Sequence, residues 1–303
     1  MKKTYLVDHN FVNSRLDRWL RKNVCVVPQS LIEKNIRKGN IKINNKKKKS
    51  SYKLQKNDEI TLHNLNLSAN KNKKFTYIYK ATKSELSSST SMFIENNENF
   101  VVLNKPEGIA VQSGTKSRKN ILDILRDTKE FQGFSPYPVH RIDKETTGIL
   151  IVAKNRKYAQ LFTSLFRIRK IHKTYLGIVL GQLEKNKGTF TDMLFYYEGV
   201  KKVSTKAITH YNVIDCNNNY SLLKLSPETG RKHQLRKQLL IHGSPILGDS
   251  KYRIFKSKPN RQNKLMLHAY KINFSIDGIK YSFLADLPLN FKNILKEKYL
   301  KNF

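Results

Sequence analysis

Three stretches of the sequence carry side chains whose types and spacing suit chemistry. The first is "HRIDKETTGILIV", residues 140–152, which sets Asp143 between a His-Arg pair and a Thr-Thr-Gly turn. A carboxylate held in a dry, cation-lined site can act as nucleophile or base. Arg141 lies two residues away and shares the aspartate's face if the segment is extended. The second, "HKTYLGIVLG", residues 172–181, places Tyr175 among strand residues. An aromatic face there either packs as core or, beside a nucleotide, stacks on a base. The third, "ETGRKHQLRKQLLIHGSPILGDSKY", residues 228–252, suits a helix from about Arg231 to His242. Thr229-Gly230 would open that helix, and Gly243 and Pro245 would close it. Leu235, Leu239 and Leu240 would face the core, with Arg236 near the packed face. A buried arginine needs an anion, and Asp143 is the expected partner. The plainer reading of each stretch is an acid in a charged turn, a packed tyrosine and a solvated basic helix.

What the chain lacks narrows the chemistry. It has no P-loop, no GxGxxG, no GxSxG elbow and no His/Cys set at metal spacing. An enzyme built on it would work with side chains alone, so neither cofactor nor metal is expected. The 58 Lys and Arg residues outnumber the 23 Asp and Glu, a net charge of +35, with a pI near 10.1. Such a balance is the electrostatic footprint of a nucleic-acid partner. A compositional bias toward Lys, Asn and Ile competes with that explanation, but it does not account for the scarcity of acids. Hydrophobic residues at 39% exclude global disorder. The two cysteines, Cys25 and Cys216, form no CxxC pair and read as free thiols in a reducing compartment. There is no signal-peptide core and no run of about 18 apolar residues. A cytoplasmic protein is expected.

The 303 residues suggest two domains. Residues 1–80 hold 20 Lys and Arg against 5 Asp and Glu, a higher charge density than the rest. Within them "SRLDRWLRKNV" puts Leu16, Trp19 and Leu20 at helical spacing, with Arg15, Arg18, Arg21 and Lys22 around them. "LIEKNIRKG" predicts a second helix, N-capped by Ser30 and C-capped by Gly39. "NIKINNKKKKS" and "YKLQKNDEITL" read as short strands and a turn. Residues 63–92 read as a polar linker with one extra strand at "FTYIYK". Beyond it, "FVVLNKPEGIAV", "KTYLGIVLG", "SLLKLSP" and "KINFSI" predict strands. "RKYAQLFTSLFRI" predicts a helix with Tyr158, Leu161, Phe162, Leu165 and Phe166 toward the core. The pattern is an α+β domain on an antiparallel or mixed sheet.

Two resemblances follow from these segments. Residues 13–62, through "RLDRWL", "IRKGNIKIN" and "LQKNDEITL", resemble the alpha-L (S-four-type) RNA-binding module of RNA-modifying enzymes. That likeness implies a grip on folded RNA by shape and phosphate, with Arg15, Arg18, Arg37 and Lys38 as contacts. Residues 93–290 resemble the RluA-type pseudouridine synthases. "LNKPEGIAVQSG", "HRIDKETTGILIVAK", "HKTYLGIVLG" and "GRKHQLRKQLLIHGSPILGD" match that family's motifs, in the family's order. The resemblance implies a catalytic domain over 93–303 with a mixed, largely antiparallel sheet, which isomerises uridine to pseudouridine in RNA without a cofactor. By position Asp143 would be the catalytic aspartate, Tyr175 the tyrosine against the target base and Arg236 the basic partner, with Arg141 in support. His140, Thr147, Arg231 and His233 would shape the loop or meet RNA. The "VQSG" form and the N-terminal module are similar to those of members that act on large-subunit (23S) ribosomal RNA. Gln238 stands where the family commonly has His, Lys232 where it has Thr, and Gly177 where it has Ala. The competing class, a non-catalytic RNA-binding or ribosome-assembly protein, explains the charge and the first module but not three catalytic motifs in one chain. An aspartate-based hydrolase would cleave the RNA strand instead.

Overall fold

Two compact units, Met1–Thr76 and Tyr77–Phe303, divide the chain in the computed structural model. The structure describes residues 2–8, 11–24, 27–63, 81–82, 86, 90–112, 119–198, 201–254 and 264–301. Most of the segment read as a linker, the "FTYIYK" strand and Cys25 lie outside the described residues.

In the first unit the apolar stripe of "RLDRWL" folds as predicted. Leu16, Trp19 and Leu20 of α1 (Leu16–Asn23) are buried, against Ile32 and Ile36 of α2 (Gln29–Lys38). The Ser30 cap is not used. Helix α2 starts at Gln29 after Pro28, whose fixed φ suits a helix entry and which has no N–H to satisfy. Gly39 closes α2 in the left-handed region at φ +82°. Beyond it β2 (Ile41–Ile43) pairs antiparallel with β3 (Glu59–His63), and β1 (Lys2–Leu6) covers the other edge of β3. Strand β1 precedes the stretch from which the module was recognised. Four of its five residues are exposed, so it carries almost no alternation and exists because β3 offers it a ladder.

The second unit is built on one mixed, largely antiparallel sheet, ten-stranded among the described residues. Its strands are β4 (Phe93–Asn96), β5 (Phe100–Lys105), β6 (Tyr137–Pro138), β7 (Thr147–Ala153), β8 (His172–Leu180), β9 (Lys187–Glu198), β10 (Lys201–Cys216), β11 (Tyr220–Pro227), β12 (Leu267–Ile276) and β13 (Ile279–Leu284). The main path runs β4-β5-β7-β12-β8-β11-β10-β9, with β6 on β7 and β13 on β12. Helices α3 (Ile121–Arg126), α4 (Arg156–Arg167), α5 (Gln234–Ile241) and α6 (Leu289–Glu297) complete it.

Every residue of β7 is buried, as a strand covered on both faces requires. Its pairing with β12, parallel, joins Thr147 to His268 and Gly148 to Ala269. Gly148 sits at φ +102°, and a Cβ there would lie 2.3 Å from the Ala269 carbonyl oxygen. The Thr-Thr-Gly sequence therefore ends in the residue that lets β7 enter beside β12. Two apolar cores flank this junction. Phe100, Leu150 and Phe162 mark one; Leu176, Leu222, Leu239 and Phe291 mark the other. On α4 only Phe162 is fully enclosed, with Tyr158, Leu161, Leu165 and Phe166 packed partly against the same core.

Candidate active site

The Asp143 loop is fixed before β7 begins. Lys105, at the end of β5, is completely buried. Its Nζ donates to the carbonyl oxygens of Pro106 (2.8 Å), Ile109 (3.0 Å) and Lys144 (3.2 Å). The three donors of the ammonium are thus spent on tying the "NKPEG" turn to the residue after Asp143. The Gly108 N–H adds a bond to the same Lys144 oxygen at 2.9 Å. Burial lowers the Lys105 pKa to about 8, against the pull of Glu145, Asp143 and Glu107. The Ser113–Gly114 end of the "VQSG" stretch lies outside the described residues.

Asp143 opens into a cavity of about 570 Å³, which Tyr175 from β8 and Arg236 from α5 also line. These three side chains come from segments about thirty and sixty residues apart in the chain. Burial pushes the Tyr175 phenol upward, and the Asp143 charge adds to it, so the tyrosine presents a neutral ring. Arg236 is buried, and its nearest carboxylate is not the expected one. Its Nε and Nη2 meet Asp249 at 2.6 and 2.8 Å, a bidentate pair, while Nη1 lies 3.5 Å from Asp143 and 3.4 Å from Glu145. The guanidinium also stands 5.2 Å from the Tyr252 ring centre. Burial opposes its charge, but Asp249, Asp143 and Glu145 more than offset that and raise its pKa. Burial likewise would raise the Asp249 carboxyl, yet Arg236 and the Tyr252 and Lys251 amides bring it below the ordinary value. Asp249 anchors the arginine, and the arginine reaches Asp143 with what remains of its fork.

The helix that carries Arg236 starts at Gln234, three residues later than the sequence suggests. The Gln234 side chain is the cause. Its Oε1 accepts from the Thr229 hydroxyl (2.7 Å) and the Arg231 N–H (3.0 Å), and its Nε2 donates to the Ile208 carbonyl (3.1 Å). Residues 228–233 are held as a loop along β10, which turns His233 to φ +52°. His233 Nδ1 meets the Tyr252 hydroxyl at 2.8 Å, and Nε2 lies 3.7 Å from Asp143. Burial lowers the His233 pKa, assisted by Arg236, Lys251 and Lys232 and opposed by Asp143. Leu235 and Leu239 are buried, whereas Leu240 is only partly so.

The other expected site residues divide. Arg141 and Lys232 line the cavity as exposed cations, and Arg231 lines it with Nε donated to the Lys206 carbonyl at 3.1 Å. His140 also faces the cavity, but its Nε2 accepts the Ile151 N–H at 2.8 Å and its ring stacks on Phe166. Burial holds its pKa down to about 3. Its ring nitrogen is spent on holding the loop against β7. Thr147 is a correction: it is buried, with Oγ1 2.8 Å from Nδ1 of the fully buried His268, and does not line the cavity. Gln238, the departure from the family's histidine, is buried against the β9–β10 hairpin through Thr209 (2.7 Å) and Asp192 (2.8 Å). In the first unit Arg18, Arg37 and Lys38 are exposed, while Arg15 is bound to Asp17 through Nε at 3.0 Å and Nη2 at 2.6 Å. Sequence reasoning missed Lys105 and Asp249. "NKP" at a strand end signals the first; nothing local signals the second. Among the described residues no cluster of His, Cys, Asp and Glu is placed to hold a metal ion. No helix among them is long and apolar enough to cross a membrane.

Comparison with known proteins bears on this geometry. Residues 99–240 match the family model described as RNA pseudouridylate synthase, and residues 14–60 match the S4 domain. The chain is 33% identical to ribosomal large subunit pseudouridine synthase C of Buchnera aphidicola subsp. Baizongia pistaciae, across 96% of this chain and 95% of that one. It is 32% identical to the protein of the same name from Rickettsia bellii, across 93% and 97%. Among solved structures it is similar to human RNA pseudouridylate synthase domain containing 4, with a TM-score of 0.63 and 25% identity over 72% of this chain and 96% of that one.

Proposed function

The chain belongs to the family of RNA pseudouridine synthases, and from that premise we propose that it acts in the cytoplasm on large-subunit (23S) ribosomal RNA, with Asp143 as the catalytic carboxylate. The reaction breaks the N1–C1′ bond of uridine, turns the uracil and joins C5 to C1′. A proton leaves C5 and one is gained at N1. Nothing is oxidised and no group is lost, so the balance calls for no co-reactant. The target base must leave its stack, at a cost of a few kcal/mol, and contacts between phosphates and the +35 chain offset that cost.

Within this reading Asp143 acts at the ribose, Tyr175 packs against the base, and Arg236, anchored on Asp249, holds the carboxylate in place. Arg141, Arg231 and Lys232 lie at the cavity wall toward RNA. Arg18, Arg37 and Lys38 serve the module of residues 13–62, and residues 93–303 form the catalytic domain. The observation that carries the reading is the meeting of Asp143, Tyr175 and Arg236 in one cavity. The ribosomal target rests on the names of the two bacterial relatives and on the S4 match. It is tested by incubating the protein with separate transcripts of large-subunit rRNA, small-subunit rRNA and tRNA, then mapping pseudouridine by carbodiimide modification. New sites confined to the large-subunit transcript are expected. Sites confined to tRNA would overturn the assignment of substrate.

A further inference from the structure

Lys173 is a cation of this cavity that the reaction scheme leaves idle. It stands two residues before Tyr175 on β8, so both side chains leave one face of the strand, about 7 Å apart. Both line the cavity. Lys173 is partly buried, and among the described residues its ammonium makes no hydrogen bond and no ion pair. Other enclosed amines of this unit are satisfied internally: Lys105 by three carbonyls, Lys154 by Asn96. Burial lowers the Lys173 pKa with no carboxylate opposing it. Its surroundings add no counter-charge. His140 is held neutral, in part by Lys173 itself, and stacks on Phe166, next to the cation Arg167. Glu228 also lines the cavity, but its carboxylate is taken by His210 at 2.6 Å and Arg169 at 3.7 Å. A partly buried ammonium without an internal anion gains most from one that arrives with the substrate.

We propose that Lys173 binds a phosphodiester oxygen of the RNA beside the target uridine, setting the register of the flipped nucleotide while its base lies on Tyr175. The proposal rests on the pseudouridine synthase reading. Lysine suits the task because it offers a point charge with three rotatable donors to a backbone that carries no sequence information.

The test measures steady-state pseudouridine formation on an rRNA transcript across a salt series, for wild type, Lys173→Met and Lys173→Arg, with thermal melts as the check on folding. Loss of one charged contact raises KM about tenfold or more in Lys173→Met. The plot of log(kcat/KM) against log salt becomes shallower by about 0.7, as for one phosphate on a single strand. Lys173→Arg restores most of both. If Lys173→Met does not fold, Lys173→Gln set against Lys173→Arg makes the same comparison. An unchanged salt slope, whether kcat falls or not, overturns the phosphate assignment; a fall in kcat alone would place Lys173 on the base. A wild type inactive on every RNA overturns the reading of function itself, and the role of Lys173 with it.

Discussion

The cavity has two kinds of cation, and they are treated in opposite ways. Arg236 is 3% exposed and surrounded by the carboxylates of Asp249, Asp143 and Glu145. Lys173 lines the same space and, among the described residues, has no anionic partner. Burying an ion pair is costly, and only close geometry with further hydrogen bonds offsets the desolvation. The protein meets that condition at Arg236 through a bidentate bond to a carboxylate that itself accepts the Lys251 and Tyr252 amides. The difference teaches how to divide charges in such a site. On the proposed function, a cation whose donors are used up inside the fold positions the site, whereas one left open meets the substrate.

Substitutions along this series should fall in a definite order. Arg236→Ala is expected to cost the most, about 3–5 kcal/mol of stability, because it strands the buried Asp249 charge. Urea unfolding measures it, and a variant as stable as wild type would mean that the Arg236–Asp249 pair does not hold the site. Lys105→Met comes next. It leaves three carbonyls without their donor, at about 2 kcal/mol, and frees the turn on which Asp143 stands. A displacement of about 1 Å there lowers kcat about a hundredfold, while RNA binding, measured by filter retention, stays near wild type. Unaltered kcat would show that the turn is held by other bonds. Lys173→Met should change stability by no more than about 0.5 kcal/mol, since it removes no internal contact. A large destabilisation would erase the distinction between the two kinds of cation.

Much of the site was legible because its motifs are local. The "HRID" turn, the "KTY" strand and the "HQLR" helix each announce an element as well as a side chain, and the structure brings Asp143, Tyr175 and Arg236 to one cavity. What escaped was set by contacts between segments. Asp249 sits in "LGDS", thirteen residues past Arg236, and nothing in that spacing says that the two meet. The start of α5 depended on a glutamine side chain that satisfies backbone and hydroxyl groups of its own preceding loop. Thr147 looked like part of a polar loop, but the parallel pairing that only Gly148 permits draws it into the sheet beside His268. Strand β1 has too little apolar alternation to be read without its partner β3.

In the proposed mechanism one carboxylate, fixed by Lys105 and Arg236, performs the chemistry while cations elsewhere hold the RNA. Asp143→Asn tests it most directly, in single-turnover pseudouridine formation on the large-subunit transcript with RNA affinity measured in parallel. No detectable product is expected, with an affinity within about threefold of wild type, because the amide removes no phosphate contact. Product at the wild-type rate from Asp143→Asn would contradict it.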